Sequence, residues 1–333
     1  MSHLSSAETA LNERALNETA EPANSADYAI QAHQITKKYG SRLALNGVSF
    51  TMPKGTVFGV IGPNGAGKTT TMRTLLDIVR PTSGQATVLG VDPRQAGPEL
   101  RRRIGFLPGE LILDGRSTGR KLLQHYADIS GPVSKGYLEE LAERLGLDLS
   151  RPVRKLSKGN KQKLGIVQAF MHKPDLLVLD EPTSGLDPLM QQVFLELVAE
   201  ARQAGQSVFL SSHVISEIQQ AADEVAILRD GKIVTISSVE ELRASAIRHL
   251  KLVTTGISSD ELRQRLEALE GVGNISVHSN ANDVEAKATL IGAVQPVIQA
   301  ISTLPLRDLV LEEPDLEESV LKLYSSDSKE TVR

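Results

Sequence analysis

The sequence predicts an α/β chain with a parallel central sheet, followed by a small α+β unit. Three observations carry that expectation. The apolar run Val57 to Ile61 leads directly into GPNGAGKT (Gly62 to Thr69) and then into a helix, so strand, glycine loop and helix follow one another. A second continuous apolar run, Leu176 to Leu179, ends in Asp180-Glu181, which is how a parallel strand covered on both faces reads. Beyond Ala244 the strand–helix rhythm is replaced by segments that suggest β-α-β-β-α-β.

Bulk properties exclude several classes. A chain of 333 residues, 40% hydrophobic and 23% charged, can bury a sizeable core and reads as about two domains. The net charge of −4 gives no drive toward nucleic acid. With no cysteines there is neither a disulfide framework nor a thiolate site, which fits an intracellular setting. No apolar run approaches the roughly 20 residues that span a bilayer. The N-terminus lacks the pattern of a signal peptide, so the sequon Asn17-Glu18-Thr19 is not expected to be glycosylated.

In chain order, residues 1 to 27 are polar and read as a disordered tail, with a transient helix around Ala7 to Leu16. Tyr28 to Tyr39 and Leu43 to Met52 are strand-like and form an antiparallel flap, with Tyr39 at the end of its first strand. An aromatic there either stacks on a purine ring or packs within the flap.

In the loop, glycines let backbone N–H groups converge on phosphate, and the helix behind it points its positive end at the same charge. Lys68 adds a point charge, and Thr69 offers a hydroxyl to Mg²⁺. The helix is expected over Thr69 to Val79, ending at Arg80-Pro81, with a strand at Gln85 to Leu89. The basic cluster from Glu99 to Arg103 reads as a solvated helix face.

From Ile104 to Leu149 the pattern turns helical. Leu138, Leu141, Ala142 and Leu145 recur at i, i+3, i+4 and i+7, with Glu139, Glu140 and Glu143 outside. Ser157 stands where a helix cap would, at the head of a basic helix that continues to Met171. Its turn is either a capped helix start or a second anion site.

Asp180 and Glu181 end a strand on the sheet edge where open α/β folds place ligands. There Asp180 can hold Mg²⁺ and Glu181 can polarise an attacking water. Ser207 to Leu210 forms another strand that leads through Ser211-Ser212 to His213 on the same edge, where the histidine is either structural or a contact to a γ-phosphate. A helix at about Leu189 to Gln203 precedes it, and a hairpin turning at Asp230-Gly231 follows. The terminal unit is ferredoxin-like, closed by a helix from Leu316 to Tyr324.

With these residues in place, about residues 28 to 240 resemble the nucleotide-binding subunit of an ATP-binding cassette (ABC) transporter. GPNGAGKT resembles Walker A, which implies that Gly62, Pro63, Asn64, Gly65, Ala66, Gly67, Lys68, Thr69 and Thr70 hold the nucleotide. LSKGNKQ (Leu156 to Gln162) is similar to the LSGGQ signature, LLVLDE (Leu176 to Glu181) to Walker B, and SGLD (Ser184 to Asp187) to the D-loop. His213 matches the switch histidine, and Tyr39 the adenine-stacking aromatic.

The resemblance implies a P-loop NTPase cassette with a RecA-like core, a β flap and a helical subdomain at about 105–170. The cassette is expected to span 28–245 and the accessory domain 246–326, leaving a tail at 327–333. It further implies ATP and Mg²⁺ as ligands, Glu181 and His213 as catalytic groups, and Thr69 and Asp180 at the metal. Ser157 and Gly159, with Asp187, would meet nucleotide across a dimer, a homodimer being expected ahead of a heterodimer. Permease subunits from other chains would be the partners, with no nucleic acid, at the cytoplasmic face of the cell membrane.

Two departures stand out. The Q-loop glutamine expected after Pro108 is Gly109, with Glu110 beside it, so Glu110 either takes over the metal contact or leaves it weakened. The signature has Lys158 for its first glycine and Asn160 for its glutamine. These, with Glu313 to Glu318, resemble type-2 exporters of drugs, lipids or polysaccharides. The alternative is a soluble ABC ATPase acting on nucleic acid or ribosomes. The chain has neither a second cassette nor a long coiled coil, and its charge opposes that reading.

Overall fold

The computed structural model describes residues 27–113, 115–280 and 283–312. The expected N-terminal tail, the helix from Leu316 to Tyr324 and the Glu313 to Glu318 pattern lie outside the described residues.

Two strands of twelve residues, β1 (Tyr28–Tyr39) and β2 (Arg42–Pro53), pair antiparallel around Gly40-Ser41. A third strand, β4 (Ser83–Val88), joins β1 on its other side. This flap lies against a six-stranded sheet that contains β3 (Val57–Ile61), β5 (Ile104–Leu107), β6 (Leu176–Asp180) and β7 (Ser207–Ser212). Its last two strands are β8 (Glu224–Arg229) and β9 (Lys232–Ser238), and the order is β5-β6-β7-β3-β8-β9. All neighbours are parallel except the β8–β9 hairpin, whose Asp230 and Gly231 both take positive φ, 49° and 75°. Every residue of β3, β6 and β7 is buried, because helices or the flap cover both sheet faces.

Three phenylalanines fasten flap to sheet. Phe50 on β2, Phe58 on β3 and Phe209 on β7 stack with ring centroids 5.3 to 5.8 Å apart. Helix α1 (Lys68–Leu75) leaves the glycine loop and buries Met72 and Leu75 in the same core. It ends earlier than expected, where the chain turns through Asp77 at φ 53°. A short helix α2 (Gly97–Arg102) carries the basic cluster on its exposed side.

One expectation is corrected. Ile104–Leu107 is not part of the helical insertion but the edge strand β5, paired in parallel with β6. Four apolar residues are too few to show a period, so sheet pairing decided their state. Gly105 fits there because a Cβ would come within 2.1 Å of the carbonyl oxygen of Ala169.

The insertion proper contains α3 (Gly119–Ser130), α4 (Tyr137–Arg144) and α5 (Lys158–Phe170). The expected apolar face of α4 is the buried one. Two more helices, α6 (Pro188–Gln203) and α7 (Ile215–Ala221), follow β6 and β7. Helix α8 (Val239–Ser245) opens with a capping box between Ser238 and Glu241.

Residues 248–311 form a separate four-stranded sheet from β10 (Arg248–Thr254), β11 (Val272–Asn280), β12 (Asp283–Leu290) and β13 (Leu306–Leu311), in the order β11-β12-β10-β13 and antiparallel throughout. Helices α9 (Ser259–Glu267) and α10 (Gln295–Ile301) share its core through Leu262, Leu266, Val297 and Ile301. This is the split βαβ arrangement expected from the sequence.

Removing one ring of this phenylalanine cluster tests how flap and sheet are joined. Phe209→Ala is expected to lower stability by about 3–5 kcal/mol, read as a shifted denaturant midpoint; a loss well under 1 kcal/mol would mean that the stack does not join the two sheets.

Candidate functional site

The site forms where β3, β7 and β6 end side by side. In the register Ile61 lies beside Ser212 and Ser211 beside Asp180, so Gly62 and His213 emerge from the sheet at one level and Glu181 one residue below them. The backbone of the glycine loop is forced. Gly67 sits at φ 116°, with the carbonyl oxygen of Ala44 only 2.9 Å from where a Cβ would be. At Gly62 a Cβ would lie 2.3 Å from the carbonyl oxygen of Leu228.

Lys68 is buried at the head of α1, where its ammonium donates to the carbonyl oxygen of Gly62 at 2.6 Å and pairs with Glu181 Oε1 at 3.2 Å. The other oxygen of Glu181 accepts from His213 Nδ1 at 2.5 Å, the nitrogen that donates when the carboxylate is ionised. Asp180 is 1% exposed, and its Oδ1 accepts from the Ser211 hydroxyl at 2.7 Å. That same hydroxyl accepts the N–H of Glu181 at 3.1 Å. The other face of Asp180 meets Gly109, where a Cβ would lie 3.0 Å from Oδ2. Gly109 thus brings the chain backbone against the carboxylate.

In front of these groups lies a cleft of about 350 Å³, lined by Tyr39, Arg42, Ala44, residues 63 to 70 and Glu181. Tyr39 stands exposed at its mouth, with the Lys37 ammonium 5.0 Å from its ring centroid. Thr69 and Thr70 open α1 within the cleft.

Other candidates lie elsewhere. Ser157 caps α5, its hydroxyl accepting from the N–H of Asn160 at 3.3 Å, and Gly159 lies two residues on, within the first turn. Neither lines the cleft. Asp187 caps α6, accepting from Met190 N–H at 3.0 Å. Glu110 is exposed and does not line the cleft.

Sequence reasoning overlooked Arg42 and Ala44, which line the cleft, and Ser211, which bonds the Asp180 carboxylate and the backbone N–H of Glu181. It also gave no role to the buried Gln162, whose amide donates to the carbonyl oxygens of Pro182 at 2.9 Å and Glu181 at 3.3 Å. A signal existed only for Arg42, in its place just after the Tyr39-Gly40-Ser41 turn.

Comparison with known proteins decides what this arrangement is. The family model described as "ABC transporter" matches residues 45–184. The bacitracin transport ATP-binding protein BcrA of Bacillus licheniformis is 36% identical over 225 residues, covering 67% of this chain and 74% of that protein. The linearmycin resistance ATP-binding protein LnrL of Bacillus subtilis is 31% identical over 304 residues, 88% of this chain and 97% of that protein. The chain belongs to the ABC transporter ATP-binding subunits.

A solved structure of the ATP-binding subunit of an ABC transporter superposes with TM-score 0.60 at 28% identity, over 65% of this chain and 92% of that one. A dimeric bacterial ABC transporter cassette shares the fold, with TM-score 0.58 at 22% identity over 63% and 98%. Like its family, this ABC subunit hydrolyses ATP. No helix among its described residues is long and apolar enough to cross a membrane.

Arg42 lines the cleft, its guanidinium 3.4 Å from where a Cβ on Gly65 would stand. Arg42→Ala is expected to raise the KM for ATP by roughly threefold to tenfold, the range of one net hydrogen bond at a solvent-exposed position, with kcat little changed. An unaltered KM in steady-state hydrolysis would remove Arg42 from the binding surface.

Proposed function

We propose that this chain is one of two ATPase subunits that drive export of a drug-like compound through membrane subunits made by other chains, from the cytoplasmic face of the membrane. One observation carries the reading. The turn at Ser157 and Gly159 has the exposed serine hydroxyl and helix N-terminus of an anion site, yet it lies outside the chain's own cleft. A second copy supplying its cleft gives that turn a γ-phosphate to meet. The names of the antibiotic-transport and resistance relatives favour drugs over lipids or polysaccharides as cargo.

In this reading Lys68 exchanges its partner Glu181 for the nucleotide phosphates, and Tyr39 stacks on the adenine. Released from the lysine, Glu181 takes the proton of the attacking water as its oxygen adds to the γ-phosphorus and ADP leaves. His213 orients Glu181 through Nδ1. For Mg²⁺ the residues fit. Asp180 is a buried carboxylate with Oδ1 already oriented by Ser211, Thr69 offers a hydroxyl, and these are the hard oxygen donors that Mg²⁺ takes. Among the described residues no group of three acidic or histidine side chains is arranged to hold a metal ion, so phosphate oxygens and water would complete the coordination. The ion would supply neutralisation of charge building on the phosphate oxygens. Asp187 adjoins the same inter-subunit surface, and Glu110, beside the loop that meets Asp180, is the residue placed to respond to the permease.

Glu181→Gln is expected to leave ATP binding intact and to slow turnover at least about a hundredfold, the contribution of a general base, trapping an ATP-bound dimer visible by size-exclusion chromatography. Hydrolysis at the parental rate would exclude Glu181 as the base. In dimers of two differently tagged chains, Ser157→Arg in one is expected to stop hydrolysis at the loop of the other. Normal activity at both loops would rule out the composite site.

A further inference from the structure

The geometry points to Gln162 as a positioning residue that ties the Ser157 turn to Glu181, so that each copy senses its partner's nucleotide through its own catalytic carboxylate. Gln162 lies on the second turn of α5 and is 4% exposed. Its amide nitrogen reaches the carbonyl oxygens of both Glu181 and Pro182, across nineteen and twenty residues of sequence. A buried amide donor left without a partner costs more than an ordinary hydrogen bond contributes, so this link resists being broken. The same helix start makes a second contact with the same segment. Gly159 sits so close to Gly185 that a Cβ would come within 2.7 Å of its carbonyl oxygen.

Two fixed points define the placement of one segment against another. The helix turn bearing Ser157 and the stretch that begins at Glu181 therefore move as one body. Nothing in the hydrolysis step itself requires Gln162, because it touches neither the cleft nor the carboxylate oxygens of Glu181. Its action is on the backbone from which Glu181 projects. The consequence rests on the reading that Ser157 and Gly159 face the nucleotide of a second copy. A phosphate docking on Ser157 then sets the position of Glu181 in the adjoining subunit's own site, and the two sites of the dimer are coupled through one side chain.

The test uses the full-length chain. Gln162→Met keeps the side-chain volume and removes the donor, and Gln162→Glu keeps the shape while turning a donor toward a carbonyl into an acceptor. Both are expected to lower kcat by about the same tenfold, equivalent to one hydrogen bond's worth of transition-state placement, with the KM for ATP unchanged, although Gln162→Glu, which buries a carboxylate against two carbonyl oxygens, lowers the unfolding midpoint further than Gln162→Met. An unaltered kcat, or a loss of kcat that tracks a loss of stability, overturns the proposal.

Mixed dimers separate this from the reading it rests on. One tagged subunit carries Lys68→Ala, leaving a single working loop. Gln162→Met is then placed in either subunit. Slowing from both placements is expected, since one copy presents the Ser157 turn and the other presents Glu181; slowing from only one overturns the coupling. Ser157→Arg in the same two placements reports on the composite site alone, and is expected to act only from the Lys68→Ala subunit. If it acts only from the other, the composite site fails while the kcat effect of Gln162 on its own Glu181 is still read directly.

Discussion

The parallel register of β3, β7 and β6 is the constraint on which the site depends. Because Ile61 lies beside Ser212 and Ser211 beside Asp180, the glycine loop, the histidine and the two carboxylates leave the sheet together. A slip of one residue would send each of those side chains to the opposite face. The strands are fixed against such slips by burial on both faces, and the phenylalanine stack from β2 through β3 to β7 pins two of them to the flap that carries Tyr39 and Arg42. Core packing and site geometry are therefore one arrangement: the rings that hold the sheets together also set how far the flap stands from the loop.

Charge follows from the same placement. An ammonium as buried as that of Lys68 needs a counter-charge, and Glu181 provides it at 3.2 Å. In the proposed reading phosphate oxygens offer the lysine a stronger partner, and loss of the internal pair frees the carboxylate for an attacking water. On that reading the ion pair thus keeps the carboxylate engaged until a nucleotide arrives, while His213 holds its second oxygen.

Much of this was legible in the sequence where a function is local. Residues 62 to 69 and 176 to 181 are short runs in which chemistry and backbone geometry depend on neighbours in the chain, and the four-stranded unit at 248–311 follows the order its segments suggested. What was not legible is long-range. Ser211 gains its role only because β6 and β7 are adjacent, and Gln162 only because α5 lands on the end of β6. The edge strand Ile104–Leu107 was read as helical for the same reason, since four residues carry no period and their state is settled by the neighbour at Leu176. Gly109 looked like a lost side chain. Its contact with Asp180 shows instead that the loop comes too near the carboxylate to accommodate one without a shift.

Glu181 itself is held in an uncommon backbone state, the left-handed region at φ 49°, which costs a non-glycine residue roughly 1 kcal/mol or more. Such a conformation persists only when its surroundings over-determine it. Here the N–H of Glu181 is held by both the carbonyl and the hydroxyl of Ser211, its carbonyl by Gln162, and its carboxylate by Lys68 and His213. Without the left-handed turn the chain would continue in line with β6 and carry the carboxylate along the strand axis, away from the glycine loop. The turn at this residue redirects the side chain across the strand ends, over the head of α1. Of the five contacts, only the Lys68 ion pair is with a group that phosphate oxygens would draw away, whereas the three on the backbone fix the point of attachment. That division lets the side chain change partners while its point of attachment stays still.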